Sequence, residues 1–163
     1  MNQKFRNLAL LSFLLFFVSS GLFAQTAMKT YSWENYKTKF KVPENFRVTE
    51  SSDARWSGTN DDITLSIYPR TGENLSVSDM QSAVYNWAVQ NGVIEIGDIT
   101  ELDSEKLNGY WGYLYEGSKD GFPIGTMLIV DPDFPQISLY IWVSYREGFE
   151  DTVIDILMSF TPI

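Results

Sequence analysis

Hydrophobic and polar residues alternate with a period of two along much of this chain, which is typical of half-buried β-strands. Four such stretches are predicted in the first half, over residues 30–33, 37–42, 46–49 and 63–68. Glu34-Asn35 is predicted to turn between the first two. The fourth strand is predicted to stop at Pro69, because proline has no amide proton to donate within a central ladder.

The second half of the chain predicts a meander of four strands, over residues 99–107, 110–118, 124–130 and 136–145. Asn108-Gly109 is typical of a two-residue hairpin turn, and Asp120-Gly121 is predicted to form another. With both turns in place, Tyr113 lies opposite Ser104 on one neighbouring strand and opposite Leu128 on the other.

Two helices are predicted from apolar residues that recur at helical spacing. The first begins after Ser76, a favoured N-cap residue, and ends at Asn91-Gly92, where glycine permits a left-handed stop. Its apolar stripe comprises Val77, Met80, Val84, Trp87 and Ala88. The second helix covers residues 149–160 and is predicted to bury Val153, Ile154, Ile156 and Leu157. The predicted fold class is α+β, an antiparallel β-sheet with helices packed on it, in one domain over residues 25–163.

The first 24 residues have the three parts of a secretory signal. Lys4 and Arg6 make the head basic, residues 8–18 form an apolar run, and the small residue Ala24 precedes Gln25. An 11-residue helix rises about 16 Å, too little for a hydrocarbon core of about 30 Å. We therefore expect cleavage between Ala24 and Gln25. The expected product is soluble, without a stable membrane span, and is exported to the periplasm or secreted.

The charge of the remaining chain narrows the possible partners. Cleavage leaves ten Lys and Arg residues against 21 Asp and Glu residues, a formal charge of −11. Nucleic-acid binders need a basic surface that displaces counterions, so no nucleic-acid partner is expected. The same charge disfavours adhesion to anionic lipid.

The chain contains neither cysteine nor histidine. Disulfides, lipidated cysteine, thiolate nucleophiles and cysteine–metal sites are therefore excluded, together with catalytic mechanisms that need an imidazole. Carboxylate chemistry, such as glycoside hydrolysis, stays open. No cofactor is predicted.

An aromatic stripe is the most prominent candidate for ligand contact. Trp111, Tyr113 and Tyr115 share one strand face, and an exposed stripe of this kind could stack on sugars or on a protein. The predicted register sets the stripe beside Leu128 and Val130, which favours a face covered by a helix. We therefore expect core residues here, unless the register slips by one residue.

A row of acids is the second candidate. Glu101, Asp103 and Glu105 are predicted to lie together on one strand face, about 6.6–6.8 Å apart along the strand, and form a speculative binding surface. This spacing suits an inverting glycosidase, but an edge strand charged against sheet-to-sheet association explains it more simply. Residues 60–62 and 131–133 could ligate calcium, yet both match ordinary turn chemistry, so no metal site is predicted.

The order of elements resembles a known family. The segment Phe-Lys-Val-Pro-Glu-Asn-Phe at residues 40–46, the middle helix, the Asn-Gly hairpin, the meander and the closing Ile-Asp-Ile-Leu-Met-Ser-Phe at residues 154–160 look like the PsbP-like α/β/α sandwich. That family includes bacterial exported DcrB-like proteins. The resemblance covers residues 31–162. It implies a central antiparallel sheet with helices on both faces, and non-enzymatic accessory or partner-binding members.

Two hypotheses of function follow. The first is a non-catalytic exported accessory domain that binds a protein or another envelope component. The alternative is a carbohydrate-binding or carboxylate-dependent glycoside-processing module, which requires a concave pocket with two acids beside a Trp or Tyr.

Overall fold

The computed structural model describes residues 26–163 of the chain. The predicted signal over residues 1–24 and the cleavage point at Ala24 and Gln25 lie outside the described residues. Within the described range the chain forms ten strands, two α-helices and one short 3-10 helix (Glu34–Tyr36). In chain order the strands and α-helices are β1 (Met28–Trp33), β2 (Thr38–Pro43), β3 (Arg47–Ser51), β4 (Trp56–Thr59), β5 (Ile63–Thr71), α1 (Val77–Gln90), β6 (Thr100–Leu102), β7 (Trp111–Lys119), β8 (Phe122–Val130), β9 (Ile137–Tyr145), α2 (Glu150–Leu157) and β10 (Thr161–Pro162).

The strands form two antiparallel sheets. The small sheet has the order β1-β2-β10, and the large sheet has the order β3-β4-β5-β9-β8-β7-β6. Strand β9 is central in the large sheet and pairs along its length with β5 on one side and β8 on the other. Because every residue of β9 has a partner on at least one side, its register fixes which side chains share each face.

The main hydrophobic core lies between the two sheets. Ile141 of β9 and its neighbours at alternate positions point toward the small sheet, where Phe40 of β2 is fully buried. Phe40 stacks on Phe160, with ring centroids 4.9 Å apart, and meets Trp56 edge to face at 4.8 Å. The other large contributors to this core are Ile63, Leu65, Ile67, Met127, Ile129, Leu139, Val143, Val153, Ile156 and Leu157.

The opposite face of the large sheet carries α1. Met80, Val84, Trp87 and Ala88 of the predicted stripe are buried, and Val77 packs at the margin, which confirms the predicted helix. Ser76 is its N-cap residue, and Gly92 has the left-handed backbone (φ 81°) expected of the stop. This second core includes Tyr113 and Tyr115 of β7 and Tyr140 of β9.

The predicted fold class is therefore confirmed in its coarser form, two antiparallel sheets with two helices. The finer prediction of a single sheet with helices packed on both faces is not. One face of the large sheet carries α1, whereas the other is covered by the small sheet together with α2. Alternation along the chain identifies β1 and β2 as strands, but it does not say which sheet they join.

The hairpin at Asp120-Gly121 has the predicted register. Lys119 lies opposite Phe122, and Trp111 at the other end of β7 lies opposite Val130. Both turn residues have positive φ, 54° and 82°, as a tight hairpin turn of this type requires.

The hairpin predicted at Asn108-Gly109 is wrong. Strand β6 ends at Leu102, and the chain then coils into a turn in which the Leu107 amide donates to the carbonyl of Asp103 at 3.0 Å. The Asn108 side chain donates to the carbonyls of Met158 and Phe160, at 2.9 and 3.0 Å. Asn-Gly therefore ends a helical turn that is tied to the C-terminal segment.

The turn that follows β6 separates the three acids that were predicted to form a row. Glu101 lies in β6, whereas Asp103 and Glu105 lie in the turn that follows. Tyr113 was predicted to pair with Ser104, but it is paired with Glu101. The three carboxylates therefore do not share one strand face, because the turn needs Asp103 to accept the Lys106 amide at 3.0 Å.

Three smaller predictions are wrong, and one strand was missed. Strand β5 continues through Pro69 to Thr71, and proline is tolerated there because β4 ends opposite Ile67 and leaves that side of β5 unpaired. Strand β4 was not predicted, since four residues with a central Gly58 show little alternation. Ile154 is 47% exposed on α2, which ends at Leu157, short of residue 160.

Among residues 26–163, no helix is both long and apolar enough to cross a membrane.

We expect Trp56→Ala to lower the free energy of unfolding by about 3–5 kcal/mol, because the indole is fully buried against Phe40 and Tyr31 and its removal leaves a cavity. Trp111→Ala is the matched control. Trp111 is 39% exposed, so its loss should be about 1 kcal/mol or less. Urea unfolding followed by circular dichroism measures both values. Equal losses in the two variants would show that the space between the sheets is not the main core.

Candidate functional site

Helix α1 covers only part of its face of the large sheet. It packs against β7 and β8. Trp87 reaches further, to Tyr68 of β5 and Trp142 of β9, with ring centroids 5.8 and 5.9 Å away. Farther along β5 and β9 from these contacts with Trp87, Thr64 is exposed and Ser144 is half-buried. The sheet thus has an open part beside the end of the helix.

Five hydroxyl side chains lie side by side on this open part, and we call them the hydroxyl face: Ser57, Thr59, Thr64, Ser66 and Ser144. Strand pairing brings them together. Thr64 lies opposite Thr59 on β4 and opposite Ser144 on β9. Their neighbours in sequence, such as Leu65 and Val143, point into the core, because side chains alternate between the two faces of a strand.

Hydrogen bonds join the hydroxyls across the strands. Ser57 and Ser66 share one at 2.9 Å, and Thr59 and Thr64 share another at 2.9 Å. A hydroxyl can donate one hydrogen bond and accept two, so each still has capacity for a ligand or water. Ser57 and Ser66 are 7% and 8% exposed and form the floor, while Thr64 is accessible from solvent.

Two half-buried aromatic side chains stand beside the hydroxyl face. The Arg55 guanidinium lies 5.9 Å from the ring centroid of Tyr68, and the Lys119 ammonium lies 5.4 Å from the ring centroid of Trp142. These distances are within the range of cation–π attraction, which is worth about 0.5–1 kcal/mol at exposed sites. The cations hold the rings in place and leave a mixed polar and aromatic surface.

An ion pair borders the hydroxyl face at the edge of the sheet. Arg55 contacts the Glu50 carboxylate through both Nε and Nη2. This hydrogen bonding from Arg55 lowers the pKa of Glu50 below its ordinary value. Glu50 is therefore a charged acceptor that is already engaged, and it lacks the raised pKa expected of a general acid.

A second polar cluster fixes the loop between β5 and α1. The Tyr140 hydroxyl donates to Glu73 at 3.1 Å, Arg70 pairs with the same carboxylate at 3.2 Å, and the guanidinium lies 4.3 Å from the Tyr140 ring centroid. Burial, and next the charge of Glu73, raise the pKa of Tyr140 to about 12. The cluster ties the loop that leads from β5 to α1 onto strand β9.

The predicted acidic surface lies at the opposite edge of the same sheet. Glu101, Asp103 and Glu105 are all exposed, and Asp103 pairs with Lys106 at 3.3 Å. Burial, followed by the charge of Glu101, raises the pKa of Tyr113. The acids and the hydroxyl face are therefore separate surfaces, with β8 and β7 between them.

The aromatic stripe is largely core. Tyr113 and Tyr115 are each 7% exposed and pack under α1, as predicted, whereas Trp111 at the end of the strand stays partly open. Tyr140 is buried in the same cluster. The part of the stripe that could meet a ligand is thus reduced to Trp111, while Trp142 of β9 is half-buried.

The two candidate calcium segments are turns. Asn60 accepts the amides of Asp62 and Ile63 at 3.0 and 2.8 Å, and Asp131 accepts the Asp133 amide at 2.9 Å. Across residues 26–163 no group of three or more acidic side chains is arranged to hold a metal ion.

The hydroxyl face was missed because two of its five residues lie on the unpredicted strand β4. A usable signal is present in the sequence. Ser57 and Thr59 alternate with Trp56 and Gly58, and the hydroxyl residues of β5 alternate with isoleucine and leucine in the same way. Pairing these two segments as a hairpin would have placed the hydroxyls together.

Comparison with known proteins finds similarity of fold. No protein-family model matches the chain, and no curated protein matches it. The solution structure of cyanobacterial PsbP (CyanoP) from Synechocystis sp. PCC 6803 is 14% identical, with a TM-score of 0.59 over 89% of this chain and 98% of its own. The Saccharomyces cerevisiae Ran-binding protein Mog1p is 12% identical, with a TM-score of 0.58 over 85% of this chain and 96% of its own. The chain thus has a PsbP/Mog1-like fold.

We expect stability to fall as the pH rises from about 10 to about 12. Burial raises the pKa of both Tyr110 and Tyr140 to about 12, above the value of 10.0 for a free phenol. The folded state therefore keeps these protons at pH values where the unfolded state releases them. The stabilisation is complete below pH 10 and is lost progressively between pH 10 and pH 12. Urea midpoints between pH 9 and pH 12 measure the effect. A double variant, Tyr110→Phe with Tyr140→Phe, should show a shallower decline, and an unchanged slope would contradict the assignment.

Proposed function

We propose that this chain is an exported, non-catalytic binding domain whose hydroxyl face contacts a protein or another envelope component. The observation that carries the proposal is the incomplete cover of the large sheet. Hydrogen-bonding side chains and two aromatic rings, Tyr68 and Trp142, lie where α1 stops. A surface with rigid aromatic rings beside adaptable hydroxyls is well suited to recognition.

The surroundings of the hydroxyls favour binding over catalysis. Ser57 and Ser66 are hydrogen-bonded to each other. A nucleophilic serine needs a neighbouring base that accepts its proton, and histidine is absent from the chain. The carboxylate of Glu50, which borders this edge of the sheet, is held by Arg55.

The fold supports a binding role by analogy. Mog1p, one of the proteins with this fold, is described as a Ran-binding protein. At 12% identity the likeness extends to the fold alone, and function has to be argued from the surface itself. We carry over only the general idea that this fold presents a surface to a protein partner.

Export is part of the same proposal. The basic head, the apolar run and Ala24 before Gln25 support it, together with the excess of acidic residues that favours solubility. The partner is therefore sought in the periplasm or on the envelope.

Carbohydrate binding is the second candidate. Trp142 beside a row of hydroxyls favours it, because sugars combine flat apolar faces with many hydroxyl groups. Glycoside processing has less support. It needs two carboxylates facing each other across a bond, whereas Glu101, Asp103 and Glu105 lie on a sheet edge and an exposed turn.

Thr64→Trp tests the proposed surface. Thr64 is exposed at the middle of the hydroxyl face, so an indole there covers the hydroxyls without entering the core. Thr100→Trp on β6 is the matched control, since Thr100 is exposed at the far edge of the sheet. Immobilised mature protein is exposed to envelope proteins and, separately, to purified cell-wall glycan, and retained material is quantified. We expect about a tenfold loss with Thr64→Trp, close to the loss from one large interface side chain, and little change with the control.

The pattern of retention separates the outcomes. Retention of a defined protein supports the leading proposal, and retention of glycan alone supports the carbohydrate alternative. If wild type and Thr64→Trp retain the same amount of material while Thr100→Trp retains less, the binding surface lies at the acidic edge and the proposal is wrong.

A further inference from the structure

Most basic side chains of this acidic protein are already engaged. Ion pairs hold Arg55 with Glu50, Arg70 with Glu73, Lys106 with Asp103, and Arg146 with Asp62. In a chain with 21 Asp and Glu residues, a neighbouring carboxylate for each cation is the ordinary outcome.

Two further lysines are bound to the backbone. Lys29 donates to the carbonyls of Glu44 and Phe46, both at 2.8 Å. Lys119 donates to the carbonyl of Asn91 at 2.7 Å while it lies over Trp142. Their ammonium groups thus have structural partners within the domain.

The three lysines that remain are adjacent in sequence and in space. We call Lys37, Lys39 and Lys41 the lysine strip. All three are exposed, whereas Thr38 and Phe40 between them are fully buried. The period of two along β2 therefore directs Lys39 and Lys41 to the outer face of the small sheet, about 6.6–6.8 Å apart. Lys37 lies at the end of the 3-10 helix, directly before the strand.

Hydroxyl side chains surround the strip. Lys39 is paired with Ser32 on β1 and Thr161 on β10, and Lys41 is paired with Thr30. Neighbours directly opposite on an antiparallel pair lie on the same face of the sheet. The outer face of the small sheet therefore combines cations with neutral donors, which suits an anionic ligand.

Within residues 26–163 none of these three lysines has a carboxylate within 4.0 Å. Asp155 is the exposed acid that lines the same groove as Lys41, a groove of about 490 Å³, and it makes no ion pair with it. Three lysines without an ion pair, two in β2 and one directly before it, on a protein with a large excess of acid, indicate a surface whose counter-charge is supplied by another molecule.

We propose that the lysine strip binds an acidic segment of a partner protein. Charge complementarity carries the assignment, because carboxylates are the anions that match spaced ammonium groups beside hydroxyl donors. A membrane is the less suitable occupant. An extended anionic bilayer would also be repelled by the acidic residues around the strip. A short acidic segment interacts mainly with charges within a Debye length of about 8 Å, so it avoids most of this repulsion.

The strip and the hydroxyl face are different surfaces. The strip lies on the outside of the small sheet, and the hydroxyl face lies on the side of the large sheet that carries α1. The inference therefore does not rest on the proposed function of the hydroxyl face, and either one can fail alone.

Zero-length carbodiimide cross-linking of the mature protein in envelope extract tests the proposal. The reagent joins a lysine amine to a carboxylate in contact with it, and mass spectrometry identifies both residues. We expect cross-links from Lys39 and Lys41 to Asp or Glu of another protein, reduced in 0.5 M salt. With that partner purified, Lys39→Gln/Lys41→Gln should weaken its affinity about fivefold.

Lys106→Gln/Arg146→Gln is the control with the same change in net charge, and it should leave the affinity nearly unchanged. Three results would overturn the proposal: no cross-link from the strip above the level seen for Lys106, cross-links only to a second copy of this chain, or strip-dependent binding to vesicles of phosphatidylcholine and phosphatidylglycerol without any protein cross-link. Thermal melts of all variants verify that each is folded.

Discussion

Strand β9 runs through the middle of the large sheet, and its alternating side chains set the chemistry of both faces. Leu139, Ile141 and Val143 point toward the small sheet and form the main core, while Tyr140 and Trp142 point toward α1. Pairing with β5 and β8 along its length makes a slip of the register costly, since one residue would exchange all of these side chains between the faces. The position of the hydroxyl face depends on this register.

The two faces are covered to different extents. One face is covered by the small sheet together with α2, which bury its aliphatic side chains. The lysines of β2 lie on the outer side of the small sheet. On the other, α1 reaches only as far as Trp87, so the side chains of β4 and β5 beyond it are hydroxyls suited to solvent. An antiparallel sheet tolerates a polar face of this kind. The described domain thus has a buried layer on each face of the large sheet and two exposed polar surfaces.

Local patterns predicted the fold well where local chemistry decided it. Asp120-Gly121 needed only its own backbone to form a hairpin, and α1 followed from its apolar stripe. Asn108-Gly109 has positive φ at both residues too, but contacts from Asn108 to the C-terminal segment, distant in sequence, turned it into the end of a helical turn. The hydroxyl face was beyond local prediction for a similar reason. Gly58 conceals the short strand β4, and glycine is needed there because a Cβ would lie 2.8 Å from the Trp56 ring.

The central claim is that the uncovered part of the large sheet is the surface that meets a ligand. Nuclear magnetic resonance of the mature protein, titrated with the retained envelope component, tests this most directly. The account predicts shifts in the Trp142 indole N–H and in the methyl groups of Thr59 and Thr64, with the Trp111 indole and the Thr100 methyl unchanged. Shifts confined to Trp111 and Thr100, or their absence at Trp142 under saturating ligand, would contradict it.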